Sequence, residues 1–171
     1  MGLGSIFKGG GGMPGDLSRW VAGTLSEEHK RGFEFLYSQY GFADQMFFKS
    51  VKPSSPQYSE QISVFLNNVG FSLTKEGEVG PAYKAFELSA AISENEAALS
   101  MLALIQVDNG DDNARTTAKR YLALYERERS RAKSEDEEFL DSINPYSNDS
   151  DDEEMYIMMK KIANGEEVDL Y

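Results

Sequence analysis

No cysteine occurs anywhere in the 171 residues, and histidine occurs once, as His29. The first absence excludes a disulfide framework, a thiolate zinc site and a cysteine nucleophile. The second leaves any serine–histidine–aspartate site dependent on His29 alone. His29 stands between Glu28 and Lys30 in what reads as a first helical turn, and no glycine-framed serine marks a nucleophile elbow. A surface histidine is the expectation. A glycine-rich phosphate loop ending in Lys-Ser or Lys-Thr is also missing. The acidic turns fail the calcium-loop pattern. Counting from Asp108 puts Asn113 and Lys119 where glycine and glutamate are required, and counting from Asp149 puts Glu154 and Lys160 there. No catalytic activity, metal or cofactor is therefore expected.

Long apolar runs are lacking too. None approaches the ~20 residues of a spanning helix, and the N-terminus has no apolar signal core. Membrane insertion is not expected, and the protein is placed inside the cell or within a virion-like assembly. Gly2 suggests myristoylation, but that motif requires Ser or Thr where this chain has Ile6. Strand signals are nearly absent, so the class expected is all-α.

Charge is present but uneven. The whole chain carries −12. Residues 134–171 hold 13 acids and two bases, a net −11, which leaves −1 for the other 133 residues. A nearly neutral body thus carries an acidic tail, and nucleic acid is disfavoured as a partner because phosphates require basic surface. Seven bases and two acids share residues 115–133, a local +5. This stretch reads as a charged, solvated helix end. It also offers the tail an opposite charge on which to fold back, steered by electrostatics and screened by salt.

Residues 1–15 form a glycine-rich arm with an unbroken run from Gly9 to Gly12, and a flexible conformation is expected there. Gly15 or Asp16 opens a short helix with Leu17, Trp20 and Val21. Ser26 caps a second, with Phe33, Phe35, Leu36, Tyr37 and Tyr40. A third apolar stretch runs from Phe42 to Val51, followed by a Pro53–Pro56 loop. Ile62, Phe65, Leu66, Val69 and Leu73 then recur at helical spacing. Gly77–Pro81 reads as a turn, with Pro81 at the first position of a helix striped by Ala82, Ala85, Phe86 and Ala90. Leu99, Leu102, Ala103 and Ile105 stripe another helix. A turn at 108–111 leads into a long helix from about Asn113 to Lys133. The helical domain expected is 16–133, and the acidic tail with a short terminal helix is 134–171.

Segment 63–96 resembles a 34-residue tetratricopeptide repeat. Leu66, Val69, Gly70, Leu73, Gly77, Ala82 and Phe86 match its characteristic positions, and Lys84 to Gly110 is similar to the related Sel-type repeat. A degenerate second copy covers about 97–130. A possible earlier one is marked by Gly32, Phe35 and Phe48, each 38 residues before Gly70, Leu73 and Phe86. The resemblance implies a short solenoid of antiparallel helix pairs with a groove lined by the first helix of each pair. It places Asn67, Phe71 and Lys75 in that groove, with His29, Phe33, Tyr37, Met101 and Ile105 from the weaker copies. The family's carboxylate clamp is incomplete, because only Asn67, Asn68 and Lys75 are of the right type. The implied ligand is a helix or an extended apolar peptide.

Met155–Ala163 is a methionine-rich apolar island in the acidic tail, and Asn164-Gly165 is a ready helix stop. Met155, Ile157, Met158 and Ile162 are its expected contact residues, either as a docking peptide or as a helix packed on the protein's own body. Two functions follow as expectations. One is an adaptor or chaperone-like module for another protein or for copies of itself. Acidic helical-repeat chaperones of secretion systems are similar in size and composition, and Ile6-Phe7-Lys8-Gly9-Gly10 resembles their N-terminal region. The other is a structural component of a large assembly, with arm and tail threaded through neighbours.

Overall fold

The computed structural model describes residues 13–40, 52–136 and 149–169. The glycine arm up to residue 12, the Phe42–Val51 stretch and the notional copy's Phe48 lie outside the described residues. Among those described there are seven α-helices and no strand. They are α1 (Gly15–Thr24), α2 (Glu27–Tyr40), α3 (Pro56–Lys75), α4 (Val79–Ile92), α5 (Glu96–Asp108), α6 (Asn113–Asp136) and α7 (Asp149–Asn164). The all-α expectation holds. The chain divides into two compact units, Met1–Glu94 and Asn95–Tyr171. The division falls between two helix pairs, inside the span expected as one repeat domain.

The first unit is built around the pair α3 and α4. Pro56 opens α3 at a position where its missing N–H costs nothing. Pro81 lies two residues inside α4, which begins at Val79, and not at the first position as its sequence suggests. It is tolerated because first-turn N–H groups have no intrahelical partner. The helices run antiparallel, since Ser63 meets Ser89 near one end of the contact while Gly70 meets Phe86 farther along.

Small residues bring the two backbones together. A Cβ at Gly70 would lie 2.7 Å from the Phe86 ring, so only glycine leaves room for it. Ser63 Oγ lies 3.0 Å from the Ser89 carbonyl oxygen and 3.1 Å from that of Ser93, and Ser89 Oγ donates to the Ser63 carbonyl at 2.9 Å. Ile62, Leu66, Val69, Leu73, Ala82, Ala85, Phe86 and Ala90 are all buried, as their spacing predicts. Ser26 caps α2 as expected, its Oγ accepting from the His29 amide at 3.2 Å. Trp20 of α1 stands edge-on to Tyr58 of α3, with ring centroids 5.6 Å apart.

The second unit is three helices. Asn95 caps α5, its side chain accepting from the Ala98 amide at 2.9 Å. Ala98, Leu99, Leu102 and Ala103 of α5 are buried, as are Ala114, Ala118, Tyr121, Leu124 and Tyr125 of α6. Three helices end alike. After α3, α5 and α7 the chain passes through Gly77, Gly110 and Gly165 at φ +78°, +66° and +75°, a region open to glycine. In each, the glycine amide and the next amide return to helix carbonyls: Gly77 to Thr74 and Glu78 to Leu73, for example.

Helix α7 begins at Asp149, six residues before the apolar island that announces it. Acids at a helix start are favoured by the dipole, so the Asp and Glu run joins the helix instead of preceding it. It packs on α6 and α5. The terminal helix is therefore seated on the protein's own body.

Candidate interaction surfaces

The outward side of α3 carries the first candidate surface. Val64, Asn68, Phe71 and Lys75 recur every three or four residues and are all exposed, Val64 by 52% and Phe71 by 38%. They form one stripe of about 16 Å at 1.5 Å per residue. The core fixes Phe71. Its ring meets that of Phe86 edge-on, with centroids 5.2 Å apart and planes at 75°. Phe86 itself rests on Gly70. The stripe is thus held by the close approach of α3 and α4.

Several groove residues inferred from the repeat resemblance lie elsewhere. Phe33 is 1% exposed and belongs to the core. Among the described side chains of α2, Phe35 is the exposed aromatic, at 50%. The assumed phase of α2 is wrong because its core face runs through Gly32, Phe33 and Leu36. Gly32 packs against Lys84 and Leu88 of α4, so it serves a contact with that helix. Asn67 is buried, and its neighbour Asn68 holds the exposed place. Ile105 is buried, while Tyr37 and Met101 are half-buried. Burial raises the Tyr37 pKa above its ordinary value. Val64 was missed, although it lies seven residues before Phe71 and so shares its face.

Between α2 and α4 lies an open groove of about 740 Å³. Glu27, Glu28, Arg31, Gly32 and Phe35 line one side, and Gly80, Pro81 and Lys84 the other. Its floor is apolar and its rim is charged. The Lys84 ammonium is held by the Glu87 carboxylate at 2.6 Å.

In the second unit the central feature is the seat of α7. Tyr125 and Tyr156 stack at 4.7 Å and 25°, and the Tyr156 hydroxyl donates to Glu126 at 3.2 Å. Arg129 lies 4.5 Å over the Tyr125 ring, and Lys160 lies 4.6 Å over that of Tyr156. Met159 and Ile162 are fully covered, at 0% and 2%. Ile157, expected as a contact, is 49% exposed, and Met155 and Met158 are half-buried. The buried methionine is Met159, which the sequence reading left out. Helical phase explains the change: Tyr156, Met159 and Ile162 share the inward face and Ile157 does not. At the far end, the Arg115 guanidinium lies where a Cβ at Gly165 would be.

Glu96 is half-buried at the start of α5. Burial lifts its pKa above the ordinary 4.5, Asp152 and Glu128 push the same way, and Arg129 opposes them. Burial also raises the Tyr121 and Tyr125 hydroxyls. The sign for stability follows. A carboxyl that holds its proton more tightly when folded contributes most below its unfolded pKa, near 4.5, and loses that contribution as pH rises through the folded value. Glu96→Gln should therefore gain on wild type as pH rises from 4 to 7, measured by urea unfolding followed by far-UV circular dichroism. A stability difference that stays constant with pH contradicts this account.

Among the described residues no group of three or more histidine or acidic side chains is arranged to hold a metal ion, and no helix is long and apolar enough to cross a membrane. No protein-family model matches the chain, and neither a curated protein nor a solved structure matches it.

Proposed function

We propose that this chain is a protein-interaction module of tetratricopeptide-like type, whose first unit binds an apolar helix or extended segment of another protein. The observation that supports the reading most is the α3 stripe. Val64 and Phe71 are large, exposed and on one face, and Phe71 is held in place from below by Phe86. A fixed aromatic loses little side-chain entropy on binding, which is what an anchor residue requires. The α2–α4 groove supplies a second apolar floor in the same unit, with Phe35 on its wall.

The test is a peptide-display selection on the full chain. Enriched sequences should be apolar, spaced at three and four residues, and should lose binding to Val64→Asp and Phe71→Ala while both variants stay folded. Sequences that bind both variants as well as wild type would remove α3 from the reading. The alternative is a structural role in a large assembly, with the acidic C-terminal segment reaching a neighbour. The length of chain between α6 and α7 favours it.

A further inference from the structure

We propose that α7 is an exchangeable element: the face of α5 and α6 that it covers takes the α7 of a second copy of this chain where copies are crowded, and the chain's own α7 where they are dilute. This surface belongs to the second unit and does not rest on the α3 stripe. It deepens the structural alternative by naming what would join neighbouring copies.

Three observations carry it. First, α7 lies antiparallel on α6 in one continuous register. Arg115 meets Gly165 near one end, and Tyr125 and Glu126 meet Tyr156 toward the other. These contacts come from α7 and the glycine that ends it, so a second copy's α7 would make the same set. Second, the seat is small and specific. Tyr156 stacks, Met159 and Ile162 are covered, and the left-handed Gly165 admits the Arg115 guanidinium. An incoming helix must present Tyr, Met and Ile three residues apart, followed by a glycine end, and this chain's own α7 supplies that pattern.

Third, residues 137–148 separate the end of α6 at Asp136 from the start of α7 at Asp149. Turning one helix back on another takes about 2–8 residues, whereas these twelve extend to about 40 Å. The excess length allows a neighbour to be reached.

Cis and trans seating share the same contacts, so the balance between them is set by the tether. Joining two binding elements through a short stretch of chain gives an effective concentration on the order of millimolar. Dilute protein should keep its own α7, and copies held side by side in an assembly should exchange theirs.

Deleting residues 137–148 from the full chain tests this. Joined directly to α6, α7 cannot turn back, and light scattering should report two chains per particle at micromolar concentration. Adding Met159→Asp and Ile162→Asp should return it to one chain. Val64→Asp should leave the dimer unchanged, which separates this inference from the function proposed for the first unit. A helical deletion variant that stays a single chain overturns the proposal. If the deletion loses helical content, a second measurement decides. The full-length Met159→Asp/Ile162→Asp variant, its own α7 unseated, is titrated with a fluorescent peptide of residues 149–169. It should bind at least about tenfold more tightly than wild type, whose tethered α7 competes. Equal or absent binding to both overturns the proposal.

Discussion

Phe86→Ala should lower the stability of the first unit by about 3–5 kcal/mol, and Phe71→Ala should lower it by about 1 kcal/mol. Phe86 is 0% exposed and stands on Gly70, so truncating it opens a cavity that the surrounding helices cannot close. Against the ~5–15 kcal/mol that holds a domain folded, such a loss threatens folding itself. Phe71 is 38% exposed, so its removal opens to solvent and leaves no enclosed cavity. Its cost comes from the edge-to-face contact with Phe86. The repeat resemblance alone would give Phe71 almost no role in stability, and the ring geometry corrects that. Trp20 is the chain's one tryptophan and contacts Tyr58. Its fluorescence during urea unfolding therefore reports on this unit. Equal losses in the two variants would falsify the assignment of one ring to the core and the other to the surface.

Gly70→Ala is the second large effect, and here two terms oppose each other. Alanine is preferred to glycine within a helix by about 1 kcal/mol. Against that, the new Cβ would sit 2.7 Å from two atoms of a fully buried ring. Overpacking of this kind costs about 1–3 kcal/mol, and the Phe86 ring, 0% exposed, has no open space to swing into. The expected outcome is a net loss. In a Phe86→Leu background the same substitution should become neutral or stabilising, because the ring is gone. A double-mutant cycle measures the difference. If Gly70→Ala stabilises the unaltered protein, the ring does not lie over the glycine.

These two residues also show how far the sequence could be read. Gly70 and Phe86 were each legible as positions of the repeat spacing, but that the Phe86 ring lies over Gly70 was not. The apolar striping of α3, α4 and α5 was legible too, but the resemblance put Asn67 and Ile105 in the groove and both are buried. The α2 face was not legible. Phe33, Phe35, Leu36 and Tyr37 are all large and apolar, and such a dense run does not specify its own phase. The same density hid Met159 among Met155, Ile157 and Met158. The start of α7 was missed for a different reason: a run of acids reads as solvated chain until its value at a helix N-terminus is counted. Val64 was within reach, because the seven-residue step to Phe71 was there to be seen.

The serine clasp between α3 and α4 has a consequence for how the pair assembles. Sliding one helix along the other by a turn would carry the Phe86 ring off Gly70, and it would also part Ser63 from Ser89. Ser63 and Ser89 prevent such sliding from going unnoticed. Only in the observed alignment do their hydroxyls, 2.7 Å apart, reach each other and the opposite carbonyls. A slip of one turn would bury both hydroxyls without those partners, and a buried hydroxyl without a hydrogen bond costs about 1–3 kcal/mol. The clasp thus adds little to the depth of the native minimum but raises its nearest competitors. Its loss should appear as heterogeneous helix pairing more than as a lower melting temperature.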